Sequence, residues 1–168
     1  MKKYLLAIAA LALLALGSCT KEEDDADIDV SKSVYLVDGY WRMTSFLVNN
    51  DIDNEFSPTT ETFEFLDGCI KDNVYTFNSK SSLTINEDRL KCNVNSPDDQ
   101  QYYYSITEGD SYIKIWSNPD DPDASIFMDG TIETISVKKF TISKKYWNAT
   151  TEKNVYRQTT YEMFLEKK

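Results

Sequence analysis

Apolar and polar residues alternate over short runs from Gly39 to the end of the chain, and these runs are rich in β-branched and aromatic residues. This pattern is typical of half-buried β-strands. We count about eight or nine such runs at short spacing, with no convincing amphipathic helix among them. The pattern predicts an all-β domain over residues 39–168, folded as a closed or nearly closed antiparallel up-and-down barrel of about eight strands. Such a barrel is filled by side chains or holds one small ligand.

Turn-forming residues predict three hairpins. The run "NSKS" separates "VYTF" from "SLTIN", and "TEGD" separates "YYYSI" from "YIKIW", with Gly109 able to adopt a positive φ angle. Asp129-Gly130 matches the preference of a two-residue turn, and it predicts a third hairpin between "SIFM" and "TIETI".

Three further runs are interpreted as strands. The run "TETFEFLD" places Phe63 and Phe65 on one face. Near the C-terminus, "SVKKFTISKKYW" and "NVYRQTTYEMFLEK" predict two longer strands joined by the polar turn "NATTEK". The first of these strands is predicted to place Phe140, Ile142 and Tyr146 on one face. The second is predicted to place Val155, Tyr161, Met163 and Leu165 on one face.

The first 18 residues have the organisation of an export signal. A positive start precedes an apolar stretch over residues 5–16, which is shorter than the about 20 apolar residues needed to span a bilayer. Leu16-Gly17-Ser18-Cys19 resembles the bacterial lipobox, in which the cysteine is acylated and the peptide is cut before it. We therefore expect residues 1–18 to be a signal peptide and Cys19 to hold a lipid anchor. The alternative is a soluble secreted protein in which Cys19 is incidental.

Residues 19–38 are acidic and without pattern, and they are predicted to form a flexible tether because clustered like charges repel. The stretch "KEEDD" at 21–25 resembles the short export signal that follows the cysteine in lipoproteins of Bacteroidetes. The resemblance implies an outer-membrane protein exposed at the cell surface, and periplasmic retention stays open as the alternative. The net charge of −10 makes nucleic acid a poor partner, because phosphate binding requires clustered Lys and Arg.

Two cysteines remain if Cys19 is acylated. Cys69 and Cys92 form an even pair, which is expected to oxidise to a disulfide in an exported chain. Two separate buried thiols are the alternative. A zinc site is disfavoured, because two lone cysteines cannot complete the usual tetrahedral ligand set without histidine.

The chain contains no histidine. Ser-His-Asp and Cys-His catalysis are therefore excluded, and no nucleophile elbow or phosphate-binding loop is present. We expect no enzyme, no catalytic residue, no metal and no cofactor. Two alternatives stay open: a glycosidase-like carboxylate pair, and calcium binding by the Asp-rich stretches at 96–100 and 118–125, for which solvated turns are the favoured interpretation.

Two segments carry a resemblance to a family. Gly39-Tyr40-Trp41 resembles the Gly-x-Trp signature of lipocalins, and residues 68–92 resemble the Cys-x-Lys-Asp-Asn-x-Tyr-x-Phe segment, with a second Cys, of lipocalin-like lipoproteins from Bacteroidetes. The resemblance implies a lipocalin-like meander barrel whose open mouth holds an apolar molecule. It also implies that Trp41 packs across the closed end and that a disulfide joins neighbouring strands. The second and third signature motifs of secreted lipocalins are missing in any clear form.

The chain is rich in aromatic residues, with 11 Tyr, 8 Phe and 3 Trp, and these are the main candidates for contacts with a ligand. The candidate ligand contacts are Trp41, Tyr102, Tyr104 and Trp116, and ordinary cross-strand packing is the alternative role for them. The sequence thus predicts a non-enzymatic, surface-anchored lipoprotein that binds a small apolar or amphipathic ligand. The alternative is an accessory subunit of a surface complex that recognises a protein or a glycan.

Overall fold

The computed structural model describes residues 33–37, 39–79, 81–107, 109 and 111–166, all within the unit Ser31–Lys168. The predicted signal peptide, Cys19 and most of the predicted tether lie outside the described residues. In chain order, the elements are α1 Ser33–Val37, β1 Gly39–Asn49, β2 Thr60–Glu61, a 3-10 helix Phe63–Phe65, α2 Gly68–Lys71, β3 Val74–Asn78, β4 Ser82–Asn86, β5 Asp99–Thr107, β6 Tyr112–Trp116, β7 Ile126–Ile135, β8 Lys139–Asn148 and β9 Lys153–Glu166.

Eight of these strands form a closed antiparallel barrel. The order is β1-β3-β4-β5-β6-β7-β8-β9, and β9 pairs back onto β1 from Gly39↔Glu166 to Asn49↔Tyr156. The short strand β2 adds a further pairing to the later part of β1. The predicted all-β up-and-down barrel is therefore confirmed.

The end of the barrel at which β1 begins is filled by side chains, and we call it the closed end. Leu36 and Trp41 are completely buried there. The Nε1 of Trp41 donates a hydrogen bond to the carbonyl oxygen of Leu36 at 2.8 Å, and its ring meets that of Phe140 edge-on at 5.0 Å. Leu36 on α1 belongs to this core, so the core includes a residue that precedes β1.

Two of the three predicted hairpins are confirmed, β3–β4 and β5–β6, and Gly109 between β5 and β6 has a positive φ of 64°. The predicted turn at Asp129-Gly130 is wrong, because both residues lie within the strand β7. A Cβ at Gly130 would collide with the backbone carbonyl oxygen of Ser143 on β8. Gly130 thus serves the close approach of two strands, which is the other common use of glycine in a sheet.

The strand predicted from "TETFEFLD" is also wrong. Only Thr60 and Glu61 pair with β1, and a 3-10 helix follows. The carboxylate of Glu61 accepts hydrogen bonds from the backbone N–H groups of Phe46 at 3.0 Å and Phe63 at 2.9 Å. The second of these bonds turns the chain away from the sheet, and Phe65 consequently lies exposed to solvent.

Candidate ligand-binding site

The barrel wall parts on one side. The strands β8 and β9 pair along their length, from Lys139↔Glu162 to Asn148↔Lys153. By contrast, β7 and β8 pair only from Thr131↔Ser143 to Ile135↔Phe140. Among the described residues, no sheet pairing joins 126–130 to 144–148, so the two strands diverge toward the end at which β1 finishes. We call that end the open end.

A cavity of about 590 Å³ lies where β7 and β8 diverge. Its size is within the range of about 300–1,000 Å³ that small-molecule sites occupy. The wall is built mainly from β1, β7, β8 and β9, and most of its side chains are apolar or aromatic. They include Met43, Phe46, Met128, Ile142, Tyr146 and Tyr161.

The two tyrosines Tyr75 and Tyr161 connect the cavity with the closed core. Their rings meet edge-on at 5.0 Å, and Phe140 of the core stacks on Tyr161 at 4.6 Å. The hydroxyl of Tyr161 donates to the sulfur of Met128 at 3.4 Å. Burial raises the pKa of Tyr75 to about 12 and that of Tyr161 well above the ordinary value of 10. This part of the wall therefore presents neutral hydroxyl groups at neutral pH.

One ion pair spans the divergence of β7 and β8. The Nζ of Lys144 pairs with Oδ1 of Asp129, whose Oδ2 also accepts a hydrogen bond from the hydroxyl of Tyr112 at 2.5 Å. Burial by itself would raise the pKa of Asp129, but these hydrogen bonds and the charge of Lys144 lower that pKa overall. The positive charge of Lys144 is thus compensated within the cavity wall.

The second cation of the wall is Arg157. Its guanidinium carbon lies 5.1 Å from the centroid of the Tyr146 ring, a cation–π contact. Within the described part of the chain, Arg157 belongs to none of the ion pairs. The cavity wall therefore contains one compensated cation and one that has only an aromatic partner.

A disulfide holds the segment that completes the cavity wall at the open end. Cys69 on α2 is bonded to Cys92 in the connection from β4 to β5, with their Cα atoms 5.2 Å apart. The predicted pair is confirmed, but it joins a helix to a loop and not two neighbouring strands. Ile70, next to Cys69, lines the cavity together with Asn73. The bond thereby restrains part of the wall.

Trp41 and Tyr104, two of the predicted ligand contacts, lie in the core. Tyr104 meets Phe77 edge-on at 5.1 Å, and its hydroxyl donates to the carbonyl oxygen of Asn78 at 3.0 Å. Trp41 packs at the closed end, as the resemblance implied. Neither side chain lines the cavity.

Tyr102 and Trp116 lie on opposite faces of the sheet. Trp116 pairs with Tyr103 across β5 and β6 and stacks on it at 6.2 Å, on the outer face. Tyr102 points to the interior, where its ring centroid is 4.8 Å from that of the cavity residue Phe127. Because side chains alternate along a strand, the register that places Trp116 beside Tyr103 separates it from Tyr102 and Tyr104.

A buried carboxylate accompanies Tyr102. Glu87 is only 7% exposed, and its Oε1 accepts a hydrogen bond from Gln100 Nε2 at 3.3 Å. Its Oε2 is buried and has no hydrogen-bond partner in the part of the chain that the structure covers. Burial, followed by the charge of Glu87, raises the pKa of Tyr102. Glu87 thus places an unused acceptor beside the interior of the barrel.

The sequence prediction missed the cations of the cavity, although the pattern contained a signal for them. Lys144 lies between Ile142 and Tyr146 on the face predicted to be apolar, and Arg157 follows Val155 on the corresponding face of β9. A cation on an otherwise apolar face requires a partner or water, because burying an unpaired charge is costly. A cation on an otherwise apolar strand face is therefore a signal for a binding site.

No protein-family model matches this sequence, and the comparison with curated proteins found no match either. No helix within the described ranges is long and apolar enough to cross a membrane. In the same ranges, no group of three or more His, Cys, Asp or Glu residues is arranged to hold a metal ion. The barrel fold and its cavity are compatible with a lipocalin-like ligand-binding domain.

Proposed function

We propose that this protein is a non-enzymatic binding protein that takes up one small apolar or amphipathic molecule in the cavity of its barrel. The observation that carries this proposal is the apolar and aromatic cavity of about 590 Å³ where β7 and β8 diverge. Each apolar Å² that a ligand buries there contributes about 25 cal/mol of binding free energy before the entropic cost of association.

The same proposal places the protein at the outer membrane, anchored through acyl chains on Cys19 and exposed at the cell surface. It is supported by the sequence "LGSC" at 16–19 and by the acids that follow it. Two or more acyl chains form a stable anchor, whereas a single chain is marginal. On this view the acidic segment that follows Cys19 tethers the barrel, which collects its ligand outside the cell, and the protein belongs to the lipocalin-like lipoproteins of Bacteroidetes.

Binding is tested with N-phenyl-1-naphthylamine, an uncharged fluorophore that brightens in apolar surroundings. We expect a saturable increase in fluorescence with one site per chain for protein that lacks residues 1–19. Met128→Trp, which fills the cavity, should abolish the increase. The matched control Val137→Trp adds the same ring at an exposed position between β7 and β8 at the closed end, and it should bind as the wild type does.

Native mass spectrometry of protein purified from its own host gives an independent measurement. We expect a bound molecule of discrete mass that is absent from the Met128→Trp variant. A wild-type protein that shows neither saturable fluorescence nor a bound molecule would contradict the proposed function.

A second candidate function is recognition of a protein or glycan partner by the loops of the open end. The segments that join the strands there expose large apolar side chains, namely Phe56, Phe65, Leu90 and Val94. Exposed large apolar side chains in loops are candidates for contact with a partner. We expect mild crosslinking on cells to capture a stoichiometric partner that is lost in Phe56→Ser/Phe65→Ser and retained in Val137→Ser. Recovery of a free monomer alone would contradict this function.

A further inference from the structure

The two cations of the cavity wall lie side by side and differ in their partners. Lys144 and Arg157 are directly paired in the register of β8 and β9. Lys144 is turned toward β7, where Asp129 compensates its charge. Among the described residues, Arg157 belongs to no ion pair and contacts the ring of Tyr146. The positive charge available to a ligand in this cavity is therefore that of Arg157.

This positive charge is opposite in sign to the net charge of the chain. The chain has a net charge of −10, so its average field repels anions. An anion at the cavity wall nevertheless meets the exposed guanidinium of Arg157 beside the aromatic ring of Tyr146, and the two opposite charges attract. The planar fork of Arg matches a carboxylate with two parallel hydrogen bonds.

Another part of the cavity wall carries no charged side chain. Tyr75 and Tyr161 present neutral hydroxyls there, and Met128 and Ile142 present apolar surface. An anionic group would lose its hydration in this part of the wall without gaining a cation. A molecule that satisfies both parts of the cavity has an apolar body and one negative head group.

We infer that the ligand is an amphipathic anion with a carboxylate-type head group, which docks on the guanidinium of Arg157 while its apolar body contacts Met128, Tyr75 and Tyr161. This inference rests on the proposed function, because it names the chemical class of the molecule that the cavity binds. Arg157 is the residue that selects the head group, and Lys144 has little effect because Asp129 already neutralises it.

The test compares three probes with the same alkyl chain as competitors of N-phenyl-1-naphthylamine: decanoate, decanol and decyltrimethylammonium. We expect decanoate to displace the fluorophore at a concentration about tenfold lower than decanol, as one charge-assisted hydrogen-bonded pair implies. The cationic probe should compete least. The preference for decanoate should weaken as the salt concentration rises, because Arg157 is partly exposed.

Variants test whether Arg157 causes the preference for decanoate over decanol. Arg157→Gln should bring decanoate and decanol within about twofold of each other, and Arg157→Lys should retain part of the difference. Arg89→Gln removes an exposed cation outside the cavity wall and should leave the preference unchanged. Lys144→Gln/Asp129→Asn, which removes both charges of the neutral ion pair, should change it by less than about twofold.

The outcomes separate the two proposals. Saturable binding of the uncharged fluorophore without a preference for decanoate, or a preference that survives Arg157→Gln, overturns the inference and leaves the proposed function standing. Absence of binding of both the fluorophore and decanoate, measured directly by calorimetry, overturns both.

Discussion

The closed and open ends of the barrel are built from the same alternating strands, but the closed end is filled by side chains and the open end contains a cavity. At the closed end, the inward positions carry Leu36, Trp41 and Phe140, which interlock without room for a ligand. At the open end, the inward positions of β8 and β9 carry Lys144 and Arg157, which face each other in register. The strands β8 and β9 stay paired there, whereas β7 and β8 separate. Lys144 pairs with Asp129 across this separation, and the cavity lies beside it.

The comparison shows that alternating apolar residues are enough to form strands at both ends. The end whose inward positions are all apolar is filled by side chains, and the end whose inward positions include cations holds the cavity. The closed end supplies the stability, since its aromatic side chains lose most of their contact with water. The open end leaves apolar surface for a ligand. The predictions below test this comparison in order of decreasing effect.

The largest effect is expected at the closed end. Trp41→Ala removes a completely buried ring and its hydrogen bond to Leu36, so the free energy of unfolding should fall by about 3–5 kcal/mol. The matched control is Trp147→Ala, which removes an exposed ring at the open end and should cost less than about 1 kcal/mol. Urea unfolding measures both. Equal losses would contradict the division into a filled and an open end.

The disulfide is next in size. Cys69→Ser/Cys92→Ser should lower the free energy of unfolding by about 3 kcal/mol, because the bond restricts the unfolded chain over a sequence separation of 23 residues. Hydrogen exchange adds a spatial measurement: amides near Ile70 should exchange faster, while those near Trp41 should change only with global stability. Uniform acceleration at both ends would show that the bond does not restrain the cavity wall locally.

Gly130 tests the point at which the two ends meet. Gly130→Ala places a Cβ against the carbonyl oxygen of Ser143, and separating β7 from β8 should cost about 1–3 kcal/mol. Gly109, whose neighbourhood is open but whose φ is positive, is the control. Gly109→Asn should be nearly neutral because Asn tolerates that conformation, whereas Gly130→Asn should be as harmful as Ala. A neutral Gly130→Ala variant would show that close approach is not required.

Alkaline pH tests the tyrosines between the two ends. The pKa of Tyr75 is raised to about 12 in the folded protein and is about 10 when the chain is unfolded, so its contribution is complete below pH 10. As pH rises from 10 toward 12, stability should fall by about 1.4 kcal/mol per pH unit for each such tyrosine. Tyr75→Phe should reduce this slope, and burial, the largest cause of the raised pKa of Tyr161, should keep part of the slope that Tyr161 contributes. An unchanged slope in urea unfolding would refute the assignment.

The smallest effect concerns the ion pair that spans the opening. Lys144→Gln should change the free energy of unfolding by at most about 1 kcal/mol, because Lys144 is partly exposed. The pKa of Asp129 should rise in this variant, and NMR titration of its carboxyl carbon measures the change. Because that pKa is lowered in the wild type, its stabilising contribution holds above the ordinary value of 3.8 and disappears as pH falls below it. Lys153→Gln is the matched control.

Local pattern was sufficient for most of the fold. The alternation of residues such as Phe140 and Ile142 predicts strands wherever it continues, and "NSKS" and "TEGD" predict their reversals, because both signals depend on neighbouring residues alone. The same signals misled at Gly130 and Phe65. A glycine serves a turn or a close approach equally well, and only the position of Ser143 on the neighbouring strand distinguishes the two.

The sequence by itself determined the class of fold, most of the strands, the pair of Cys69 and Cys92 and the absence of histidine chemistry. Only the tertiary structure decided which aromatic residues meet and where the cavity lies. The physical reason is register: shifting one strand against its neighbour by a single residue exchanges inside for outside, so Trp116 joins Tyr103 on the outer face. The cavity beside Arg157 depends on tertiary structure too, because its wall combines β8 and β9, which form one hairpin, with residues of β1 and β7 that meet them only when the barrel closes.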